Sequence, residues 1–327
     1  MFTMVAANLA ASVLAKPHPH WFRFYGSFAA PIFVFLAGMM VARTSLKRGV
    51  GFVHFLKRGA VLLAIAALLD MLVWQVVPFT AVDVLYLIGV SLPLTYLSLR
   101  LPRVLGWMSA IGIFVAAEAM RRLFGYTDYP TTITLMGELY VTPTQPTSIL
   151  QHWIVDGWFP MLPWLGFALF GAQWEYARRP GSNDRNRRTL LIGMALVDAG
   201  WIWWRLVPAG MLTRGDYSEV FYPATLPFIA TAIGVVLVLF GIVDRFGGNV
   251  CWQPFRVLGE SALAMYVLHF IVIRFVLAEI FEDETLGSFA VLYALMLAIL
   301  GVCGIALRSL KGVWPRLPFP LNVLLGG

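Results

Sequence analysis

Charge is scarce in this chain: only 13% of its 327 residues are Asp, Glu, Lys or Arg, where a soluble domain carries roughly a quarter. Cysteine is scarcer still. Cys251 and Cys303 are the only two, and both sit in or beside apolar runs, so neither a disulfide framework nor a metal site is expected. No Gly-x-Ser-x-Gly elbow, His-Glu-x-x-His pair, Walker loop or GxGxxG stretch occurs. A hydrolase of familiar type, a zinc peptidase and an ATP-driven pump therefore find no support. Low-complexity segments and convincing internal repeats are missing as well.

What the chain has in quantity is apolar sequence: 60% of it is hydrophobic, with a mean hydropathy of +0.78. The apolar residues gather into runs near the length that spans a bilayer core. Ten such segments are legible, at about 1–15, 22–42, 59–77, 82–100, 104–120, 156–175, 189–207, 225–243, 257–280 and 285–307. The expected fold is all-α, a polytopic integral membrane protein of about ten transmembrane helices (range nine to eleven). One membrane domain over residues 1–327 encloses one intramembrane site. The first segment would reach only about 22 Å as a helix at 1.5 Å per residue, short of a hydrocarbon core of about 30 Å. It has no charged leader and no cleavage site, so it is not a signal peptide, and a truncated first helix is expected.

The net charge of +7 reports topology, not nucleic acid, because the basic residues fall in alternate loops. Residues 43–59, "RTSLKRGVGFVHFLKRG", hold Arg43, Lys47, Arg48, Lys57 and Arg58 without an acid. Arg100, Arg103, residues 178–188, Arg245, Arg256, Arg308, Lys311 and Arg316 follow on the same side, which should be cytoplasmic. The opposite side holds "KPHPHW", "VPFTAVD", the 121–155 loop, 208–224 and the acidic 279–285 stretch. A bacterial cytoplasmic (inner) membrane is the expected location, with His18 and His20 facing outward. The 121–155 loop is too long and too aromatic for a plain connector and is expected to be an ordered lid or hairpin.

Polar residues inside membrane segments are costly and tend to face a cavity. Those present are Asn8, His18, His20, Arg23, Asp70, Asp83, Glu118, Asp156, Asp198, Glu260 and His269. His20 is the best general-base candidate, since an imidazole titrates near neutrality; the ordinary alternative is an interfacial anchor beside Trp21. His18 lies between two prolines, in a solvated turn. Arg23 follows His20 by three residues and can bind an anion or simply snorkel. Asp83 opens a helix, where capping competes with a site role. His152 precedes Asp156 by four residues, so the two can share a helical face. His269 is mid-helix, where a satisfied core histidine is the plain alternative to a site-lining group.

The stretch "MVAANLAASVLAKPHPHWFRFYGSFAAPIFVFLAGMM" resembles the opening of the transmembrane acyltransferase superfamily. The branch it most resembles is heparan-α-glucosaminide N-acetyltransferase and its bacterial relatives. "DVLYLIGVSLPL" at 83–94, "PMLPWLGFALFGA" at 160–172 and "LGESALAMYVLHFIV" at 258–272 agree with it. The resemblance implies transfer of an acetyl or other acyl group from cytosolic acyl-CoA, typically acetyl-CoA, to an extracytoplasmic sugar amine or hydroxyl. It also implies a catalytic pair of an Asn late in the first core helix and a His shortly after it. Those positions match Asn8 and His20, with His18 as the competing register. The expected roles are proton removal by His20 and orientation of the imidazole, or oxyanion stabilisation, by Asn8. His18, Arg23, Asp83, Asp156 and His269 are the substrate-binding candidates. Lys47, Arg48, Lys57, Arg58 and Arg100 can meet the phosphates of CoA, although topology alone accounts for them. Expected partners are membrane lipid, acyl-CoA, a glycan or amino-sugar acceptor and, as an open alternative, a second copy of the chain. A transporter or flippase without acyl-CoA chemistry is the rival reading, and an envelope scaffold without turnover is a third.

Overall fold

The structure, a computed structural model, describes residues 1–178, 183–206, 219–246, 252–313 and 318–326. Cys251, Arg316 and most of the 208–224 loop lie outside the described residues. Among the described residues the fold is all-helical, with no strand. In chain order the helices are α1 Phe2–Val13, α2 His20–Ser27, α3 Ala29–Arg48, α4 Phe52–Leu69, α5 Val84–Ser98, α6 Arg103–Phe124, α7 Ile149–Gln151 and α8 Met161–Ala177. They continue with α9 Asn183–Leu206, α10 Leu226–Phe246, α11 Gln253–Glu260, α12 Ala262–Val272, α13 Ala278–Ile280, α14 Leu286–Val313 and α15 Phe319–Leu324. Wider π-turns extend α4 (Asp70–Trp74), α7 (His152–Asp156) and α12 (Ile273–Leu277).

Among the described residues, seven helical stretches are long and apolar enough to cross a membrane, and the bent pair Ile149–Asp156 and Met161–Ala177 makes an eighth if it is one span. The two remaining apolar segments form shorter helices, α1 and α5. Every one of the ten apolar segments read from the sequence is thus helical. The boundaries differ where charge is involved. The 43–59 stretch is not an open loop: α3 runs through Arg48 and α4 begins at Phe52, because Lys and Arg are good helix formers whose heads reach water from a helix end. Likewise α6 extends to Phe124, past the expected end at 120, with Glu118 pairing to both Arg121 and Arg122 one turn on.

The chain divides into two compact units. The first comprises Met1–Ala29 and the described parts of Gly215–Val220 and Phe246–Gly327. Its core joins Val5, Leu9 and Val13 of α1 with Met265, Tyr266 and Phe270 of α12 and Met296 and Leu300 of α14, all buried. Phe22 stands edge-on to Phe289 at 5.3 Å. The linker after α1 is tied to the acidic loop by Ala15 N–H to Glu284 O (3.0 Å) and Glu284 N–H to Val13 O (2.8 Å).

The second unit comprises Ala30–Arg214 and Phe221–Arg245, as far as these are described. Phe35, Met39 and Val236 form one cluster, with Phe170, Trp174 and Phe240 against it. Without a hydrophobic drive between helices in lipid, close approach depends on small residues. At Gly38 of α3 the approach is to backbone: a Cβ there would lie 1.8 Å from the carbonyl oxygen of Ala168 in α8. The outward faces are apolar too. Val104, Met108, Ile111 and Val115 form an exposed stripe along α6, at the spacing of one helical face, as a lipid-facing surface requires. The turn after His152–Asp156 depends on Gly157, where a Cβ would sit 2.5 Å from the carbonyl oxygen of His152.

Candidate functional site

In the first unit, Asn8 and His269 come together although 261 residues separate them: Asn8 Nδ2 lies 3.0 Å from His269 Nε2. An amide nitrogen only donates, so Nε2 accepts and the ring proton belongs on Nδ1. His269 is wholly buried. Its Nδ1 makes no hydrogen bond of good geometry, although the carbonyls of Met265 and Tyr266, one turn back, draw on it. The two rings of Tyr266 and Phe270 flank it at 5.3 and 4.2 Å. Asn8 is half-buried, and its second amide N–H has no acceptor among the described residues. A donor with one hydrogen fixed and one free, in apolar surroundings, is suited to a developing oxyanion.

His18 and His20 separate. His20 begins α2, is exposed, and forms no hydrogen bond or ion pair among the described residues. His18 is not in the solvated turn its flanking prolines suggested: it is buried, with Nε2 3.2 Å from the Leu14 carbonyl oxygen. Burial holds its pKa below the usual histidine value, the charges of Lys16 and Arg23 add to this, and the Leu14 carbonyl opposes it. Arg23 is buried as well and donates from Nη2 to the Glu219 carbonyl at 3.0 Å. Ser27 accepts from Val220 N–H at 2.7 Å, so α2 carries the described start of the 219–224 segment.

The remaining candidates belong to the second unit. Asp83 caps α5, its Oδ1 accepting from Val84 N–H at 2.6 Å. His152 Nδ1 meets Asp156 Oδ1 at 2.8 Å, both side chains wholly buried. Nε2 of His152 accepts from Thr131 N–H at 3.0 Å, so the ring is the neutral Nδ1–H tautomer with both nitrogens engaged. Gln151 donates to Asp156 Oδ2 at 3.0 Å. This constellation clamps the 121–155 loop, and it leaves the imidazole no free lone pair for base chemistry. The pair was visible from the spacing, but its partners Thr131 and Gln151 were not, since the loop closure that brings Thr131 there has no periodic signal.

Asp70 has a partner the sequence did not suggest. Tyr86 donates to Asp70 Oδ2 at 2.5 Å, and its oxygen accepts from Phe79 N–H at 3.2 Å. Lys47, Arg48, Lys57 and Arg100 are exposed and Arg58 is half-buried. Arg100 bonds the Tyr96 hydroxyl and lies over the ring at 4.9 Å from its centroid. Arg103 lies over Tyr176, and Arg178 pairs with Asp244 at 3.0 Å. Arg103 thus reaches from α6 to α8, and Arg178 ties the end of α8 to α10.

These features define a polytopic helical membrane protein with an amide–imidazole pair built on a buried histidine. The model of the heparan-alpha-glucosaminide N-acetyltransferase catalytic family matches residues 5–197. The match covers 193 of the 327 residues, and the chain belongs to this family of membrane acetyltransferases. Asn8, His18 and His20 fall inside the match; His269 falls outside it. No curated protein and no solved structure matched the chain.

Proposed function

We propose that the protein moves an acetyl or other acyl group from cytosolic acyl-CoA to an amine or hydroxyl of an extracytoplasmic sugar, in a bacterial cytoplasmic membrane. The observation that carries this reading is the Asn8–His269 contact, taken with the family match. His269 holds the amide of Asn8 in one orientation, and the free N–H donates to the oxyanion formed as the thioester carbonyl is attacked. His20 takes the proton from the attacking amine or hydroxyl. The new C–N or C–O bond forms, the C–S bond breaks and the CoA thiolate leaves; the proton held by His20 passes to solvent, which protonates the thiolate, so His20 is neutral again. His18 and Arg23 line the acceptor side in the first unit, while Asp83 and Asp156 order loops of the second. Lys47, Arg48, Lys57, Arg58 and Arg100 offer charge to the CoA phosphates.

The test is direct. Purified protein supplied with acetyl-CoA and a glucosaminide should release free CoA thiol in step with acetylated sugar. Asn8→Ala should lower that rate by about 10²–10³-fold, the cost of one oxyanion donor. Turnover unchanged in both Asn8→Ala and His20→Ala removes the assigned roles, and failure to bind acetyl-CoA favours a transporter.

A further inference from the structure

Residues 75–83, between the Asp70–Trp74 turn and α5, are under unusual backbone strain. Gln75, Phe79 and Val82 have φ of 56°, 69° and 56°, a region that bulky and β-branched residues rarely adopt. Such strain persists only where the surroundings over-determine it, and it concentrates at ligand clamps and active sites. The surroundings here do so. Val77 N–H bonds Ile133 O at 2.7 Å and Leu135 N–H bonds Gln75 O at 2.9 Å. At the other end Trp158 and Phe159 N–H groups bond the carbonyls of Ala81 and Val82 at 3.1 and 2.9 Å.

Phe79 is the centre of the loop, and both of its backbone polar groups are held by side chains. Its N–H donates to Tyr86 Oη at 3.2 Å, and its carbonyl accepts from Trp153 Nε1 at 3.1 Å. The outcome is a ring that stays 44% exposed while resting 5.0 Å from the Tyr86 ring, itself 5.8 Å from Trp153. An interfacial aromatic anchor needs no such device, because aromatic belts form on unstrained helix ends. A rigid, backed and half-exposed ring instead suits a ligand with a flat apolar face. The C–H face of a pyranose ring meets the negative face of an aromatic ring favourably. We infer that Phe79 is a stacking platform for a sugar ring, presented by a pre-strained loop of the second unit; the choice of a sugar as ligand rests on the sugar acceptor proposed above.

Equilibrium dialysis of radiolabelled methyl glucosaminide against the purified full chain tests binding without requiring turnover. Wild-type protein and Phe79→Trp should bind alike. Phe79→Leu, which keeps apolar bulk but has no ring face, should weaken binding about three- to tenfold, the usual range for an aromatic contact. Phe79→Gly, which relaxes the positive φ and is expected to fold, should match Phe79→Leu. No binding by wild-type protein, or equal binding by Phe79→Leu, overturns the inference. Ring-dependent binding without any transfer would sink the proposed reaction and leave this sugar site standing.

Discussion

Replacing Tyr86 by Phe removes one oxygen atom and leaves the ring in place. Tyr86 is wholly buried and Asp70 nearly so, and the lost hydroxyl serves two partners: it donates to Asp70 Oδ2 and accepts from Phe79 N–H. No cavity is made, so the cost comes chiefly from the buried Asp70 carboxylate left without its bond. At about 1–3 kcal/mol for one such group, Tyr86→Phe should cost about that much. Asp70→Asn keeps an acceptor oxygen for the hydroxyl and should cost about 1 kcal/mol, the value of one ordinary bond. The pair shares a network, so the double variant should be less unstable than the sum of the two. Reversible unfolding in mixed micelles, followed by tryptophan fluorescence, measures all three. A loss under about 0.5 kcal/mol for Tyr86→Phe, or strict additivity, would refute the network as the device that holds the 75–83 loop.

Two further outcomes follow from the same geometry. His18 is held neutral by burial, with Lys16 and Arg23 adding to the effect, so the unfolded chain binds its proton more readily than the folded one. The stability this site contributes is whole above the ordinary value of 6.5 and falls as the pH drops below it toward the lower folded value. His18→Gln should flatten that part of a stability-versus-pH curve, and an unaltered curve would count against the burial of His18. Gly38→Val should cost about 1–3 kcal/mol or more by overpacking, because its Cβ meets the backbone of Ala168 at 1.8 Å. Gly112→Ala, with open space around it, should be neutral or stabilising by up to about 1 kcal/mol. Thermal retention of the monodisperse peak in gel filtration separates the two.

The membrane fold was legible because its signal is local: runs of apolar residues fix where helices form, and all ten became helices. "VPFTAVD" and the 121–155 loop were assigned to one side, and hydrogen bonds now join them. "KPHPHW" and the acidic 279–285 stretch were likewise assigned together, and Ala15, the residue before "KPHPHW", is bonded to Glu284. Helix ends were misread wherever Lys, Arg or Glu carry a helix beyond its apolar run, as at Arg48, Phe52 and Phe124. The site was legible only in its residue types. Asn8 and His269 were both singled out, but nothing within either segment states that a helix at each end of the chain meets the other. Tyr86 and Phe79 were invisible for a different reason. A buried tyrosine reads as core, and a phenylalanine in a loop reads as an anchor, until the backbone angle and the two bonds to it are known.

The central claim is transfer of an acyl group across the membrane, and reconstitution tests it most directly. Proteoliposomes of the full chain with a glucosaminide trapped inside are given radiolabelled acetyl-CoA outside, and molecules inserted with the basic loops outward are selected by protease accessibility. Wild-type protein should label the trapped sugar, and Asn8→Ala should label it about 10²–10³-fold less. Label appearing only on sugar supplied on the same side as acetyl-CoA, or equal label with Asn8→Ala, would contradict the claim.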